Sequence, residues 1–353
     1  MNKYYVKIQK EMGMGAFSKA RLDTELVMNK CGYTEILIKN VEGKTWFHKI
    51  VQKKRNWDQI ISKCSSGDII VLQHPLESGF FTINGVMRCK RKGIKVIGII
   101  HDLYSVSDPK RHLKFMYDYK DYGLIRKYDV VISHNEKMTD YLCQKGVKRE
   151  HIVNLEIFDY IIDKRINYAA KNNCNEHNSI VVAGNLKPKK AGYIYMFDQI
   201  NWDGNIVYLY GRDYKENCMK SVSYQGQLSP SELPYLIKGA FGLVWDGNSL
   251  EACSGASGAY LKINNPHKAS MYLAAGLPII VWKESALSSF VEREQIGCSV
   301  NTLSEIPQLL NSISNVEYNS LRNNVIHIAL KLTEGKYFEA ALNQAENRII
   351  KEM

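Results

Sequence analysis

Residues 263–281 read INNPHKASMYLAAGLPIIV, and this stretch is the most informative about the class of fold. Asn265 and Pro266 fit the N-cap and the first position of a short helix, Gly276 fits its end, and Pro278 opens an apolar run typical of a buried strand. Such a helix begins at the edge of a sheet, where unpaired N–H groups and the positive end of the dipole attract an anion. The stretch therefore predicts an anion site at a sheet edge.

A lysine strengthens this interpretation, because Lys268 adds a full positive charge one turn into the helix. A diphosphate is the ligand that such a site would suit. The alternative is a well-capped structural helix with no ligand. Capping alone accounts for Asn265 and Pro266, but it explains Lys268 and Asn264 less well. We therefore take Asn264, Asn265 and Lys268 as candidate donor-binding residues.

The chain on both sides of this stretch alternates between strand-like and helix-like patterns. Short apolar runs predict strands at 4–9, 34–38, 68–72, 95–100 and 130–133 in the first half and at 179–183, 206–210, 242–245 and 278–282 in the second. Strands separated by helical patterns indicate βαβ units and parallel sheets. We expect an α/β protein with two Rossmann-like domains facing a cleft: residues 1–160, a polar linker at 161–178, residues 179–335, and a terminal helix at 336–353 that packs back on the first domain.

Composition limits the class of protein. The chain has 353 residues, 45% of them hydrophobic and 24% charged, which is ordinary for a globular protein of two domains. We find no apolar run long enough to cross a membrane and no signal-peptide core at the N-terminus. The eight cysteines stand singly, which indicates reduced thiols in a cytoplasmic protein rather than a disulfide framework or a zinc site.

Charge is distributed unevenly along the chain. Residues 1–160 carry 28 Lys and Arg against 18 Asp and Glu, and the rest carries 19 against 18, for a net charge of +11. The basic clusters lie at 53–55, at Arg88 with 90–92, and at 110–111 with Lys114. One interpretation is solvated helix faces; the other is attraction to an anionic partner such as a membrane surface, on which the protein would be peripheral.

Three further candidate donor-binding residues follow predicted strands of the second domain. Gly184, Gly211 and Asp246 each lie directly after such a strand, at the edge where open α/β sheets bind ligands. Lys187 follows Gly184 and begins a run of lysines that suits a phosphate, although a solvated loop is the alternative. The string from Ser229 to Glu232 has the spacing of a capping box at the start of a helix.

A candidate acid–base pair ends a strand of the first domain. His101 and Asp102 follow the predicted strand at 95–100, so either residue could remove a proton from an acceptor hydroxyl. The alternative is that Asp102 caps the next helix and that His101 is structural. Gly15 belongs to a glycine loop after the first strand and is a candidate for donor binding.

Two other functions fit parts of the sequence. The stretch from Gly13 to Ser18 nearly matches the dinucleotide fingerprint of NAD(P)-dependent oxidoreductases, but Ser18 replaces the third glycine and no acidic residue ends the second strand. A binder of nucleic acid or membranes would use the basic half, yet motifs of RNA-binding modules are missing, so we predict no nucleic-acid partner.

The strings GLVWDG at 242–247, GAYLK at 258–262, NNPHK at 264–268 and YLAAGLP at 272–278 resemble the bacterial glucosyltransferase 3-like and β-1,6-galactofuranosyltransferase-like enzymes. The string IIHDL at 99–103 and the glycine loop near residue 13 are similar to the N-terminal domain of that group. The resemblance implies a GT-B glycosyltransferase that takes a hexose from a UDP-sugar. It places Lys187, Asn265 and Lys268 at the UDP moiety.

The same resemblance implies an acceptor in surface polysaccharide or protein glycosylation, either a glycan, a lipid-linked saccharide or a glycoprotein. The chain departs from many retaining GT-B enzymes because no glutamate stands in the helix before Gly276. It also contains no D-x-D triplet, so we expect no metal and no cofactor: lysine and the helix dipole would stabilise the leaving diphosphate. The donor sugar, the stereochemical outcome and assembly into a homo-oligomer stay open.

Overall fold

The computed structural model describes residues 1–9, 16–41, 45–76, 79–107, 114–168, 177–215 and 219–351. Contacts divide the chain into two units. The first comprises Met1–Gly13, Ala20–Leu155 and Tyr337–Met353, and the second comprises Met14–Lys19 and Glu156–Lys336. Each unit is built on a parallel six-stranded sheet. Within the described residues no helix is both long and apolar enough to span a bilayer.

The sheet of the first unit has the strand order β2-β1-β3-β4-β5-β6, and all its pairings are parallel. The strands are β1 (Lys3–Gln9), β2 (Thr34–Lys39), β3 (Ile69–His74), β4 (Lys95–Ile100), β5 (Val130–Ser133) and β6 (Ile152–Asn154). β3 and β5 are buried along their whole length, which explains their unbroken apolar sequences. The predicted strands of this half are confirmed.

Helices connect these strands in the manner of βαβ units. They are α1 (Ala16–Lys30), α2 (Trp46–Lys63), α3 (Gly79–Arg91), α4 (Tyr104–Ser107), α5 (Lys114–Ile125) and α6 (Glu136–Gln144). α14 (Lys336–Lys351) ends the chain and packs within this unit: Glu346 accepts hydrogen bonds from Lys3 at 2.5 Å and from Tyr33 at 2.7 Å.

The sheet of the second unit has the strand order β12-β11-β10-β7-β8-β9 and is also parallel throughout. Its strands are β7 (Ser179–Asn185), β8 (Ile206–Arg212), β9 (Val222–Tyr224), β10 (Phe241–Val244), β11 (Ile279–Trp282) and β12 (Gly297–Val300). All strands point the same way, but the order in which successive strands are added to the sheet reverses between β7 and β10. Such a switch point opens a crevice at the carboxyl ends of the strands. The fold thus predicts a ligand site beside those two strands.

The helices of the second unit are α7 (Pro188–Ala191), α8 (Leu233–Leu236), α9 (Gly255–Leu261), α10 (His267–Ala274), α11 (Ser288–Glu294), α12 (Ile306–Ser312) and α13 (Asn315–Thr333). Tyr272 fixes α10 to the sheet, because its hydroxyl accepts a hydrogen bond from the Ala183 amide at 2.7 Å and its ring fills the space above Gly242. A side chain at position 242 would collide with that ring, so the glycine lets α10 pack closely against β10.

Candidate active site

A pocket of about 410 Å³ lies at the carboxyl edge of the second sheet. It opens at the switch point between β7 and β10, where Gly184 ends one strand and Asp246 follows the other. The start of α10 forms another part of its wall. Four of the predicted donor-binding residues line this pocket: Gly184, Gly211, Asp246 and Lys268. Its volume suits a nucleotide-sized ligand.

Two glycines form the floor where β7 and β8 end. Gly184 and Gly211 are partners in the strand pairing and have φ angles of 133° and 145°. A Cβ at position 211 would lie 1.8 Å from the carbonyl oxygen of Gly184, whereas one at position 184 would meet nothing within 4 Å. The backbone is therefore bare at this point, and a ligand can approach main-chain groups directly.

Lys268 is anchored beneath the pocket. Its ammonium donates hydrogen bonds to Asp246 Oδ1 and to the carbonyl oxygen of Trp245, both at 2.7 Å. Only 18% of the Lys268 side chain and 11% of the Asp246 side chain are exposed. The pair holds a positive charge at a fixed position beside the first turn of α10, whose N–H groups add to the positive potential.

Asn265 does not cap α10, so that prediction is wrong. Pro266 is the N-cap residue and has an extended backbone with ψ of 135°, so the helix begins only at His267. The Asn265 amide instead donates to the carbonyl oxygen of Glu156 at 2.5 Å. Asn265 and Asn264 both lie outside the pocket lining, and the buried Asn264 Oδ1 atom has no hydrogen-bond partner among the residues that the structure describes.

His267 lines the pocket, and sequence reasoning missed it. Its ring stacks on Tyr160 with centroids 5.0 Å apart, and its Nε2 lies 3.3 Å from the carbonyl oxygen of Asp159, which can only accept. Burial and the nearby Lys19 charge lower the pKa of His267 to about 3. The imidazole is therefore neutral at physiological pH and carries its proton on Nε2. Its position beside Lys268 in the NNPHK string was the available signal.

The lysine loop after β7 contributes differently from the prediction. Lys187 lies outside the pocket lining, its side chain is 58% exposed, and its ammonium is 3.6 Å from Asp213. Lys190, the last residue of the predicted lysine run, lines the pocket, and so does Arg212, which was not predicted as a donor-binding residue. Arg212 follows Gly211 at the end of β8, so its place at the strand end was the signal for it.

The turn from Ser229 to Glu232 makes the reciprocal bonds of a capping box without starting a helix there. The Ser229 amide donates to Glu232 Oε2 at 3.1 Å, and the Glu232 amide donates to Ser229 Oγ at 3.3 Å. The helix α8 begins only at Leu233. Pro230 lines the pocket, and its carbonyl oxygen accepts a hydrogen bond from the Tyr160 hydroxyl at 2.6 Å. The turn is thus fixed as one wall of the pocket.

His101 and Asp102 lie in the first unit, at the carboxyl end of β4. Asp102 Oδ1 accepts a hydrogen bond from the adjacent Leu103 amide at 2.9 Å. His101 is 9% exposed, and its Nε2 lies 2.8 Å from Gln73 Oε1. Because an amide oxygen can only accept, His101 carries a proton on Nε2, and Nδ1, its acceptor atom, is buried.

A chain of polar groups holds His101 in this tautomer. The Gln73 amide nitrogen donates to Glu25 Oε1 at 3.1 Å, and Glu25 Oε2 lies 3.2 Å from the ammonium of Lys7. Burial raises the pKa of Glu25, while Lys7 and Gln73 oppose that shift. If the Gln73 amide were turned over, its oxygen would face Glu25 Oε1 and its nitrogen would face the Nε2 proton of His101. Both contacts would be repulsive, so the network orients His101.

The structure does not test the role of Gly15 or the metal-free mechanism. Gly15 falls in the segment 10–15, outside the described residues. Over the part of the chain that the structure describes, no three His, Cys, Asp or Glu side chains gather as metal ligands would. The metal-free mechanism stays a prediction.

The basic cluster near Arg88 is exposed at Lys90, Arg91 and Lys92, and three of its side chains make contacts within the protein. Arg88 pairs with Asp58 at 2.7 Å, Lys90 pairs with Asp129 at 2.9 Å, and Lys92 donates to the carbonyl oxygen of Ile61. The cluster occupies the last turn of α3 and the residue after it, where positive side chains complement the helix dipole. Arg88 and Lys90 are therefore paired with acidic side chains on the surface of the first unit.

Two parallel sheets with this topology, one of them with a pocket at its switch point, define the class: this is a GT-B glycosyltransferase fold. The crystal structure of HepE from Anabaena in complex with UDP superposes with a TM-score of 0.60 and 12% sequence identity, covering 100% of both chains. At that identity the comparison shows the fold, and it confirms the predicted architecture.

The sequence comparisons identify the family. The family models described as "Glucosyltransferase 3-like" match residues 2–157 as the N-terminal domain and residues 180–345 as the C-terminal domain. β-1,6-galactofuranosyltransferase WbbI of Escherichia coli K12 is 31% identical over 78% of each chain, and glucosyltransferase 3 of Streptococcus gordonii is 26% identical over 84% of each. The chain belongs to the glucosyltransferase 3-like family of glycosyltransferases. This membership excludes the oxidoreductase alternative.

Proposed function

We propose that this glycosyltransferase moves a hexose, glucose or galactofuranose, from a UDP-sugar to a glycan, lipid-linked saccharide or glycoprotein acceptor. The observation that carries the proposal is the pocket at the switch point of the second sheet, with Lys268 fixed beside the first turn of α10. A buried cation beside helix N–H groups is suited to a leaving diphosphate. HepE, with the same fold, was crystallised with UDP, which supports that donor class.

In the proposed reaction the residues of the pocket have different roles in binding the donor. Lys268 and the first turn of α10 bind the diphosphate, with Lys190 and Arg212 supplying charge at the rim. The bare backbone at Gly184 and Gly211 lets the nucleotide lie close to the strand ends. Asp246 holds Lys268 and is the candidate for a contact with the donor sugar.

His101 is the proposed base for the acceptor hydroxyl, because it follows β4 at the carboxyl edge of the first sheet and Gln73 holds its Nε2 proton. Asp102 is the second candidate. The site would need no metal or cofactor, since lysine and helix N–H groups stabilise the leaving group. The reaction would take place on the cytoplasmic side, in synthesis of a surface polysaccharide or another glycan.

The test is a screen for slow donor hydrolysis with UDP-glucose, UDP-galactose, UDP-galactofuranose and UDP-N-acetylglucosamine. One donor should release UDP faster than the others, and Lys268→Ala should abolish that release. The control is Lys262→Ala, because Lys262 pairs with Glu284 on the surface of the same unit and does not line the pocket. If none of the donors is hydrolysed and UDP does not bind, the proposal is wrong.

A further inference from the structure

Four of the five most exposed large apolar residues among those described are aromatic and belong to the first unit. They are Phe115, Trp46, Phe47 and Phe80, with exposed fractions of 86%, 76%, 66% and 65%. Proteins bury most such side chains, so a set of this size on one unit needs an explanation. We call these four residues the aromatic rim.

The aromatic rim has a common position in the fold. Trp46 and Phe47 are the first two residues of α2, and Phe80 and Phe115 are each the second residue of α3 and α5. These helices are neighbours, since α3 packs against both α2 and α5. α2 and α3 follow strands β2 and β3, and α5 comes after β4 and α4 and leads into β5. Because each of these helices runs back toward the start of the next strand, its first turn lies toward the carboxyl edge of the sheet, the edge that holds His101.

The charge beside the aromatic rim is positive. α2 continues from Trp46 and Phe47 into a segment with four basic residues, Lys49, Lys53, Lys54 and Arg55, before its single acidic residue, Asp58. Lys54 and Arg55 are exposed. Residues 1–160 carry 28 basic against 18 acidic residues. Aromatic side chains flanked by lysine and arginine are typical of surfaces that enter the interface of an anionic bilayer.

We infer that the aromatic rim docks the first unit on an anionic lipid bilayer, with its carboxyl edge toward the lipid. Aromatic rings on three separate helix ends suit insertion into a headgroup layer, because each ring enters independently. The electrostatic attraction comes from the basic residues of α2, which continue directly from Trp46 and Phe47, whereas Arg88 and Lys90 of the basic cluster are paired with Asp58 and Asp129. As far as it concerns the acceptor, the inference rests on the proposed function and favours a lipid-linked saccharide.

Intrinsic fluorescence tests the inference on the whole protein. Trp46 is 76% exposed, whereas the other four tryptophans are at most 7% exposed, so a change at the membrane reports Trp46. With vesicles containing phosphatidylglycerol the emission should shift to shorter wavelength, and brominated lipid should quench it. With phosphatidylcholine alone the shift should be much smaller, because the charge attraction is lost. Trp46→Phe should remove the signal and keep most of the binding.

Variants distinguish membrane binding through the aromatic rim from binding by charge alone. Trp46→Ser with Phe47→Ser should lower vesicle partitioning at least about tenfold, because two apolar rings no longer leave water. The matched control is Val316→Ser, since Val316 is 80% exposed and is the second residue of α13 in the other unit. The control should bind vesicles like the wild type.

The outcomes distinguish this inference from the proposed function. If the protein stays in the supernatant with anionic vesicles at low salt, or if the double variant binds them as well as Val316→Ser does, the inference is wrong. A soluble glycoprotein then becomes the better acceptor. UDP binding by calorimetry is measured on the same samples: vesicle insertion of Trp46 without UDP binding would overturn the proposed function and leave the docking surface standing.

Discussion

The ammonium of Lys268 lies 2.7 Å from Asp246 Oδ1, and both side chains are largely buried at the switch point of the second sheet. The two residues come from different elements, α10 and the end of β10. Among the described residues the lysine ammonium donates to two acceptors, Asp246 and the Trp245 carbonyl, so the pairing fixes its position and one of its three N–H donors remains. A diphosphate can therefore take the remaining donor while the pair stays intact.

Lys268→Ala should weaken UDP binding about ten- to a hundredfold, since a charge-assisted contact in a partly buried site contributes about 1.5–3 kcal/mol. The substitution also leaves Asp246 buried beside the diphosphate without its cation, which acts in the same direction. Calorimetry with UDP measures the effect, and Lys262→Ala is the control. An unchanged affinity would remove Lys268 from the binding site.

Gly211→Ala should destabilise the second unit and abolish UDP binding. The new Cβ would lie 1.8 Å from the carbonyl oxygen of Gly184, and the φ angle of 145° is unfavourable for alanine. The backbone conformation alone costs about 1–3 kcal/mol. Gly204→Ala is the control, because its φ is also positive but its Cβ would meet nothing within 4 Å. Thermal unfolding should separate the two variants; equal melting temperatures would contradict the clash.

Stability should fall as the pH drops from about 6.5 toward 4. Burial lowers the pKa of His134 to about 4, and it is the main cause that lowers the pKa of His267 to about 3. Between these values and the usual histidine pKa, the unfolded chain binds protons that the folded protein does not. Each such histidine makes stability decrease by up to about 1.4 kcal/mol per pH unit in this window. His134→Gln should make the dependence shallower in chemical denaturation at several pH values. The same slope as in the wild type would show that His134 does not resist protonation.

Gln73→Leu should lower the turnover number and alter its pH profile, because His101 loses the acceptor that holds its Nε2 proton. Gln73 acts through His101 and is a positioning residue, so UDP affinity should not change. The matched control is Gln59→Leu, an exposed residue of α2 whose amide donates only to the carbonyl oxygen of Leu37. If turnover changes without any change in its pH profile, Gln73 has a merely structural role.

Activity should persist in excess EDTA, because the proposed site stabilises the leaving diphosphate with Lys268 and the N–H groups of α10 rather than with a metal. Turnover of the preferred donor is compared before and after chelation and after readdition of manganese or magnesium. Loss of turnover that either ion restores would require a metal-bound diphosphate instead.

Much of the fold follows from local sequence. The apolar runs predict the strands, and their alternation with helical patterns makes both sheets parallel. Because a parallel sheet gathers its strand ends at one edge, Gly184, Gly211 and Asp246 could be predicted as neighbours from their positions alone. The NNPHK string and its companions carried the family resemblance, which the comparisons confirm.

Other features depend on residues that only folding brings together. Asn265 bonds Glu156, which is 109 residues away, instead of capping its own helix. Arg88 and Lys90 belong to a basic cluster in sequence, and in space they pair with Asp58 and Asp129. The sequence lists the charges that a chain carries, whereas long-range packing decides which of them are paired.

The candidate site shows the same division between what the sequence determines and what the tertiary structure decides. The sequence by itself determined the chemistry that is available: a lysine after a helix start, glycines at strand ends and a histidine after β4. Only the tertiary structure decided that His267 is neutral, that Gln73 orients His101, and that four aromatic side chains end up exposed at neighbouring helix starts. Protonation, tautomer and exposure depend on which groups surround an atom, and contacts between distant segments of the chain set those surroundings.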